Sequence, residues 1–166
     1  KQVYSRNIKN AKKLAVILKT EYTSDINNIK TENLAIVCLK DDALKDILSK
    51  IKNKNIIHTS GAHDLNIFFN FHTNYGVIYP LQSFTKNTVT DISNSPLCIE
   101  ANNKKFENEL KKLANLLSNN VVLMDSKQRK QLHIAAVFGC NFSNHMMVIC
   151  NKILNENNIK TSIMSS

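Results

Sequence analysis

Glycine is scarce in this chain, three in 166 residues with no two close together, so the sequence has no G-x-G-x-x-G fingerprint and no glycine-rich loop to cradle a phosphate. Arginine is scarcer: Arg6 and Arg129 are the only two, and nearly all of the net charge of +9 is lysine scattered among asparagines. A nucleic-acid binder gathers its basic groups on one face and interleaves arginine and aromatics. The scatter here describes a solvated surface and no nucleic-acid partner, and the densest run, Lys50-Ile51-Lys52-Asn53-Lys54, reads as a helix end. The four cysteines, Cys38, Cys98, Cys140 and Cys150, sit far apart in apolar runs with no C-x-x-C pair and no histidine at ligand spacing. That pattern points to buried thiols in a reducing cytoplasm, with no metal site and no disulfide. No apolar run approaches the length of a membrane span, which implies a soluble, cytoplasmic protein without a membrane partner. A Ser-His-Asp or Cys-His arrangement for nucleophilic catalysis is also missing.

What is present is an alternation of short β-rich runs with helical patterns, which argues for parallel strands joined by crossover helices. Strand Gln2–Ser5 leads into a helix reaching about Thr20, with Ala11, Leu14, Ala15 and Leu18 at helical spacing. A short strand is expected near Glu21–Asp25. Leu34–Leu39 reads as a strand buried on both faces, followed by a helix capped by Asp41 or Asp42 and running to about Ile51. Strands follow at Asn55–Thr59, Gly76–Tyr79 and Pro96–Glu100, the last two linked by a long loop; then a helix over about Lys104–Leu117 and a strand at Val121–Met124. The alternation ends near residue 126, dividing the chain into an α/β unit, 1–125, and the start of a helical one, 126–166. Gln2–Ser5 reads as a strand in mid-protein, and Ile163–Ser166 stops without a cap, so both ends are expected to continue in a longer protein.

The stretch from Gln128 to His145 reads as a helix that is apolar nearly all round yet carries polar side chains, and such a helix is expected to be buried. At 100° per residue, with His133 at zero, Arg129 falls near about −40°, Asn144 near about +20°, Asn141 near about +80° and His145 near about +120°. They share one arc. Each buried amide or imidazole without a hydrogen bond costs roughly 1–3 kcal/mol, so these groups face one another, a buried backbone or a ligand cavity. Either they are satisfied core polars that fix the helix register, or they line a site.

In a dinucleotide-binding sheet the residue at the end of the second strand reads the adenosine ribose: an acid favours NAD, whereas arginine accommodates the 2′-phosphate of NADP. If Gln2–Ser5 is that strand, Ser5 and Arg6 are the selector; otherwise Arg6 is a solvated arginine and Ser5 a helix N-cap. An arginine in the first turn of a helix opposes the helix dipole unless an anion sits beside it. The turn His58-Thr59-Ser60-Gly61 would lie at the carboxyl edge of the sheet, where ligands of open α/β folds bind. Tyr79-Pro80-Leu81-Gln82-Ser83-Phe84 likewise ends a strand in a loop, which is either a binding segment or a well-packed connection.

The succession Val3-Tyr4-Ser5-Arg6, His58–Gly61, Gly76–Phe84, Cys98-Ile99-Glu100 and the helix Gln128–His145 resembles a bacterial family of Rossmann-like oxidoreductases whose C-terminal half is known only as a domain of unknown function. More distantly the layout is similar to prephenate dehydrogenases, pyrroline-5-carboxylate reductases, deazaflavin-dependent NADP reductases and β-hydroxyacid dehydrogenases. The resemblance implies a Rossmann-type, mostly parallel sheet, here without its first strand and glycine loop, followed by the start of an all-helical domain like that of 6-phosphogluconate dehydrogenase. It implies NADP, with NAD less favoured, a small-molecule substrate in the interdomain cleft and a homodimer through the helical domain. In that frame Ser5, Arg6, Leu39, Lys40, Thr59 and Ser60 line the cofactor, and Gln82, Asn144 and Arg129 face the substrate. Asn141 and His145 stand where β-hydroxyacid dehydrogenases carry a catalytic Lys-x-x-x-Asn pair. Asparagine replaces the lysine, so proton transfer falls to His133 or His145. The competing reading is a non-catalytic nucleotide- or metabolite-binding protein on the same fold.

Overall fold

Asparagine and aspartate start the longer helices, because a short side-chain oxygen satisfies the amides that the first turn leaves without partners. In the computed structural model, which describes residues 1–39, 44–85 and 88–164, Asn7 caps α1 (Ile8–Leu18) by accepting from the Lys9 amide at 3.0 Å. Asn103 caps α3 (Lys104–Asn115). Asp125 caps α4 (Ser126–Ala136) in a reciprocal capping box with Gln128. Ser5 is therefore not the cap; its hydroxyl accepts from the Asn7 amide, and Arg6 precedes the cap instead of sitting in the first helical turn. The expected cap at Asp41 or Asp42 lies outside the described residues.

Strands β1 (Gln2–Tyr4) and β2 (Glu21–Thr23) pair in parallel across α1 as a separate two-stranded sheet. The larger sheet runs β3 (Ala35–Val37), β4 (Asn55–His58), β5 (Asn74–Pro80), β6 (Leu97–Ala101), β7 (Val121–Leu123) in that spatial order. Pairing is parallel except between β5 and β6, which the 81–96 segment joins antiparallel. The fold is thus α/β, with a mostly parallel sheet and a helical C-terminal part. As the outer strand of its sheet, β3 does not match the expected two-sided burial: Ile36 is 57% exposed while Val37 is buried.

Period-two alternation sends the strand side chains to two cores. On one face Val37, Ile56 and Phe68 pack with Leu44, Leu48 and Ile51 of and beyond α2 (Leu44–Leu48). On the other, Ile57, Ile78, Leu97 and Ile99 meet Phe106, Leu110 and Ala114, the apolar stripe of α3. Gly76 lets β5 approach α3 closely, since a Cβ there would stand 2.5 Å from Leu110 Cδ1 and 2.7 Å from the Glu100 carbonyl oxygen. Of the four cysteines only Cys98 is buried; Cys38 and Cys140 are exposed and Cys150 is intermediate. Apolar neighbours in sequence did not bring burial, because Cys140 lies on a helix that packs little against the rest.

That helix is the main departure from expectation. From Ser126 to Glu156 it is continuous, α4 passing through a π-helical segment, Val137–Phe142, into α5 (Ser143–Glu156). Beyond α4 it is not buried: Phe138 is 64% exposed and Met147 54%. A π-turn inserts a residue, which rotates everything after it by about 100° relative to an unbroken α-helix. Set back by about 100°, Asn144 falls near about −80° and His145 near about +20°, still on the side of Arg129 and His133, so distance along the helix axis is what separates them from that pair. An 18-residue stretch within this 31-residue helix averages a hydropathy of 1.2, enough by length and composition alone to cross a membrane. Asn141, Ser143, Asn144 and His145 interrupt its apolar residues, so the helix carries no unbroken apolar run of that length.

Gly76→Ala is expected to destabilise the protein by about 1–3 kcal/mol, since the methyl meets backbone that cannot yield, as read by urea unfolding. Gly139→Ala is the control. A Cβ there meets nothing within 4 Å, so stability should hold or rise by about 0.5–1 kcal/mol.

Candidate functional site

The carboxyl ends of β4 and β5 and the start of α4 converge on one corner of the sheet. At the end of β4, His58 is fully buried, stacked on Phe68 with ring centroids 5.3 Å apart, and its Nδ1 accepts from the Ser60 amide at 3.1 Å. The Ser60 hydroxyl accepts in turn from the Ala62 and His63 amides at 3.1 and 3.2 Å, which tightens the turn. Gly61 sits under the helix: a Cβ would stand 2.8 Å from both His133 Nδ1 and Tyr79 Cζ. No side chain fits there. Over this glycine the Tyr79 hydroxyl and His133 Nδ1 share a hydrogen bond of 3.0 Å, the rings edge-on at 5.7 Å. Both residues are half-buried. Burial raises the Tyr79 phenol above its ordinary value of 10.0, with a smaller contribution from Cys98. Burial likewise raises the Cys98 thiol, while the charge of Arg129 opposes it.

One helical turn before His133, Arg129 is 1% exposed and pairs through Nη1 with the Glu100 carboxylate. Its Nη2 donates to the His63 carbonyl at 2.6 Å and to the Ser126 hydroxyl at 3.1 Å. Ser126 donates from Oγ to Glu100 Oε2 at 2.7 Å and from its amide to Oε1 at 3.0 Å, and its hydroxyl accepts from the Leu65 amide at 2.9 Å. With its terminal nitrogens engaged, Arg129 presents neither to a substrate.

Among the residues expected at a site, the fold brings Thr59, Ser60, Arg129 and His133 to this corner. Asn141, Asn144 and His145 lie two to three turns farther along the helix, exposed and without a side-chain partner among the described residues. Gln82 braces its own loop, donating to the Ser95 hydroxyl at 3.2 Å. Ser5 ends β1, its amide donating to the Thr23 carbonyl, and Arg6 is exposed without an ion pair among the described residues. Leu39 packs against the α2 core, and Lys40 lies outside the described residues. Sequence reasoning gave no role to Tyr79, Glu100 or the His63 carbonyl. The signal was available in part: Tyr79 and Val77 share a strand face, Arg129 and His133 a helix face.

Residues 95–166 match the family described as Domain of unknown function (DUF2520). The DUF2520 match begins just before β6 and runs through the long helix. A protein of Bacteroides fragilis, provisionally named an NADP oxidoreductase, is 38% identical and superposes with a TM-score of 0.90 over 98% of this chain and 65% of its own. Pyrroline-5-carboxylate reductase of Streptococcus pyogenes shares the fold at 14% identity and a TM-score of 0.67, over 97% of this chain and 62% of its own. So does an imine reductase of Myxococcus stipitatus in complex with NADP+, at 11% identity and 0.68, over 99% and 61%. The chain therefore spans less than two thirds of these proteins. No curated protein matches it by sequence. The Rossmann-like resemblance read from the motifs is borne out.

The tighter hold on the Tyr79 proton in the folded state means that the unfolded chain ionises first, so stability falls as pH rises above about 10. Tyr79→Phe is expected to shrink that alkaline loss, measured by thermal melts between pH 9 and 11.

Proposed function

We propose that the chain belongs to an oxidoreductase that moves a hydride between a nicotinamide cofactor, NADP in preference to NAD, and a small metabolite held between an α/β domain, 1–125, and a helical domain beginning at 126. The Tyr79–His133 pair over Gly61 carries this reading. It is a hydrogen-bonded couple of titratable groups beside the carboxyl ends of parallel strands, where ligands of such sheets bind. Arg6 fits the cofactor: it is an exposed guanidinium at the end of β1, free of ion pairs among the described residues, with the planar fork that suits a phosphate. Ser5, Leu39, Thr59 and Ser60 would line the same edge. When bound, the nicotinamide supplies or takes up the hydride. His133 holds or releases the accompanying proton at its ring, and Tyr79 fixes the tautomer through Nδ1. Gln82, Asn144, Asn141 and His145 would meet substrate only where another element closes over the exposed helix.

The apolar side chains of that helix, Phe138, Phe142, Met146 and Ile153 among them, support a homodimer through the helical domain. A soluble cytoplasmic protein is the accompanying reading, supported by a fold shared through this helix with the Bacteroides protein. In light scattering the full-length protein is expected to run as a dimer, and Phe138→Lys to shift it to monomer; a monomeric wild type would sink the dimer.

Calorimetry on the full-length protein tests the cofactor. NADPH should bind more tightly than NADH, and Arg6→Glu should weaken NADPH by at least about tenfold, roughly 1.4 kcal/mol, with NADH little changed. Equal losses for both would remove Arg6 from the role, and binding of neither would defeat the reading.

A further inference from the structure

We infer that the Glu100–Arg129 pair, its guanidinium buried and its carboxylate largely so, is a positioning device: it sets the helix so that His133 meets Tyr79 over Gly61, and it does so at the expense of stability that an apolar contact would supply as well. The inference rests on the proposed role of His133. Glu100 lies opposite Val77 on β5, and Cys98 opposite Tyr79. Paired residues and those two apart share a sheet face, so Glu100 and Tyr79 point to the side on which α4 lies, away from α3. From Val77 to Tyr79 the strand rises about 6.6 Å. From Arg129 to His133 the helix rises about 6 Å and makes little more than one turn. The two spacings match: with Arg129 seated on Glu100, His133 arrives at Tyr79.

The network also fixes the third wall. Arg129 Nη2 and the Ser126 hydroxyl hold the His63 carbonyl and the Leu65 amide, so the turn carrying Gly61 is tied to the same two side chains. Three features therefore share one buried anchor: the β5–β6 ladder, the 59–65 turn and the first turn of α4. Arg129 Nε is buried without a partner among the described residues. A group chosen for stability alone would not leave it so.

Buried ion pairs replaced by apolar residues of similar volume are often as stable or more so, which separates the two roles. The full-length protein is compared, without cofactor, as wild type, Arg129→Met/Glu100→Gln and Arg129→Lys. The first readout is the melting temperature. The second is the His133 ring in long-range proton–nitrogen correlation spectra, where a fixed tautomer bonded to Tyr79 gives two well-separated nitrogen signals and a loose ring gives averaged ones. Tyr79→Phe calibrates the loss of the bond. Positioning requires the double variant to melt near wild type yet lose the separated signals. It also requires Arg129→Lys to lose them, because an ammonium cannot span Glu100 and the His63 carbonyl together. Separated signals surviving in either folded variant would overturn the proposal. Should the double variant fail to fold, the lysine variant decides alone; loss of signals there only with global melting also overturns it. None of these readings depends on cofactor binding, so failure here is distinguishable from failure of the oxidoreductase reading.

Discussion

A guanidinium taken out of water must find its charge and its donors answered inside the protein, and Arg129 does so against Glu100 on β6 and the His63 carbonyl after β4. Breaking such a pair by removing one partner costs about 3–5 kcal/mol, although the intact pair need contribute little net stability. The value lies in direction. Hydrophobic contact between a helix and a sheet tolerates small slides and rotations, whereas a forked donor on a carboxylate and a carbonyl fixes both. The position of His133, the closure of the 59–65 turn and the exclusion of any side chain at Gly61 all depend on that fixed orientation.

Past His133 the constraint ends. Among the described residues no hydrogen bond ties the side chains of Asn141, Asn144 or His145 to the sheet, and the π-turn across Val137–Phe142 sets them back by about 100°, toward the side His133 faces. Such turns are frequent at functional sites because they re-aim side chains at small cost to the helix. The apolar surface that follows is larger than scattered exposed hydrophobics explain, and contiguous patches of this kind mark interaction surfaces.

Much of the fold was legible. Caps at Asp125 and Asn103, the amphipathic stripe of α3 and the β-branched runs at Ile56-Ile57 and Val77-Ile78 are local signals, and each element formed where its signal lay. The edge exposure of Ile36 was not legible, because an apolar run does not say how many neighbours its strand will have. The exposure of the long helix was misread for a related reason: an apolar composition states that a surface needs cover, not which element supplies it. At the site, His133 and Arg129 were legible as polar groups needing partners, and the turn at Ser60 as a strand end. Tyr79 and Glu100 were not, since their importance comes from the antiparallel register of β5 against β6.

By itself, then, the sequence determined the α/β order of elements, the helix starts and the family resemblance, because these depend on side chains within a few residues of one another and on motifs in fixed order. Only the tertiary structure decided that Glu100 receives Arg129, that Gly61 lies beneath His133 and Tyr79, and that Asn141 and His145 stand apart from them. Those outcomes depend on strand register and on how far along the helix each residue lies, and a one-residue slip of register would reverse the first two without altering any local signal.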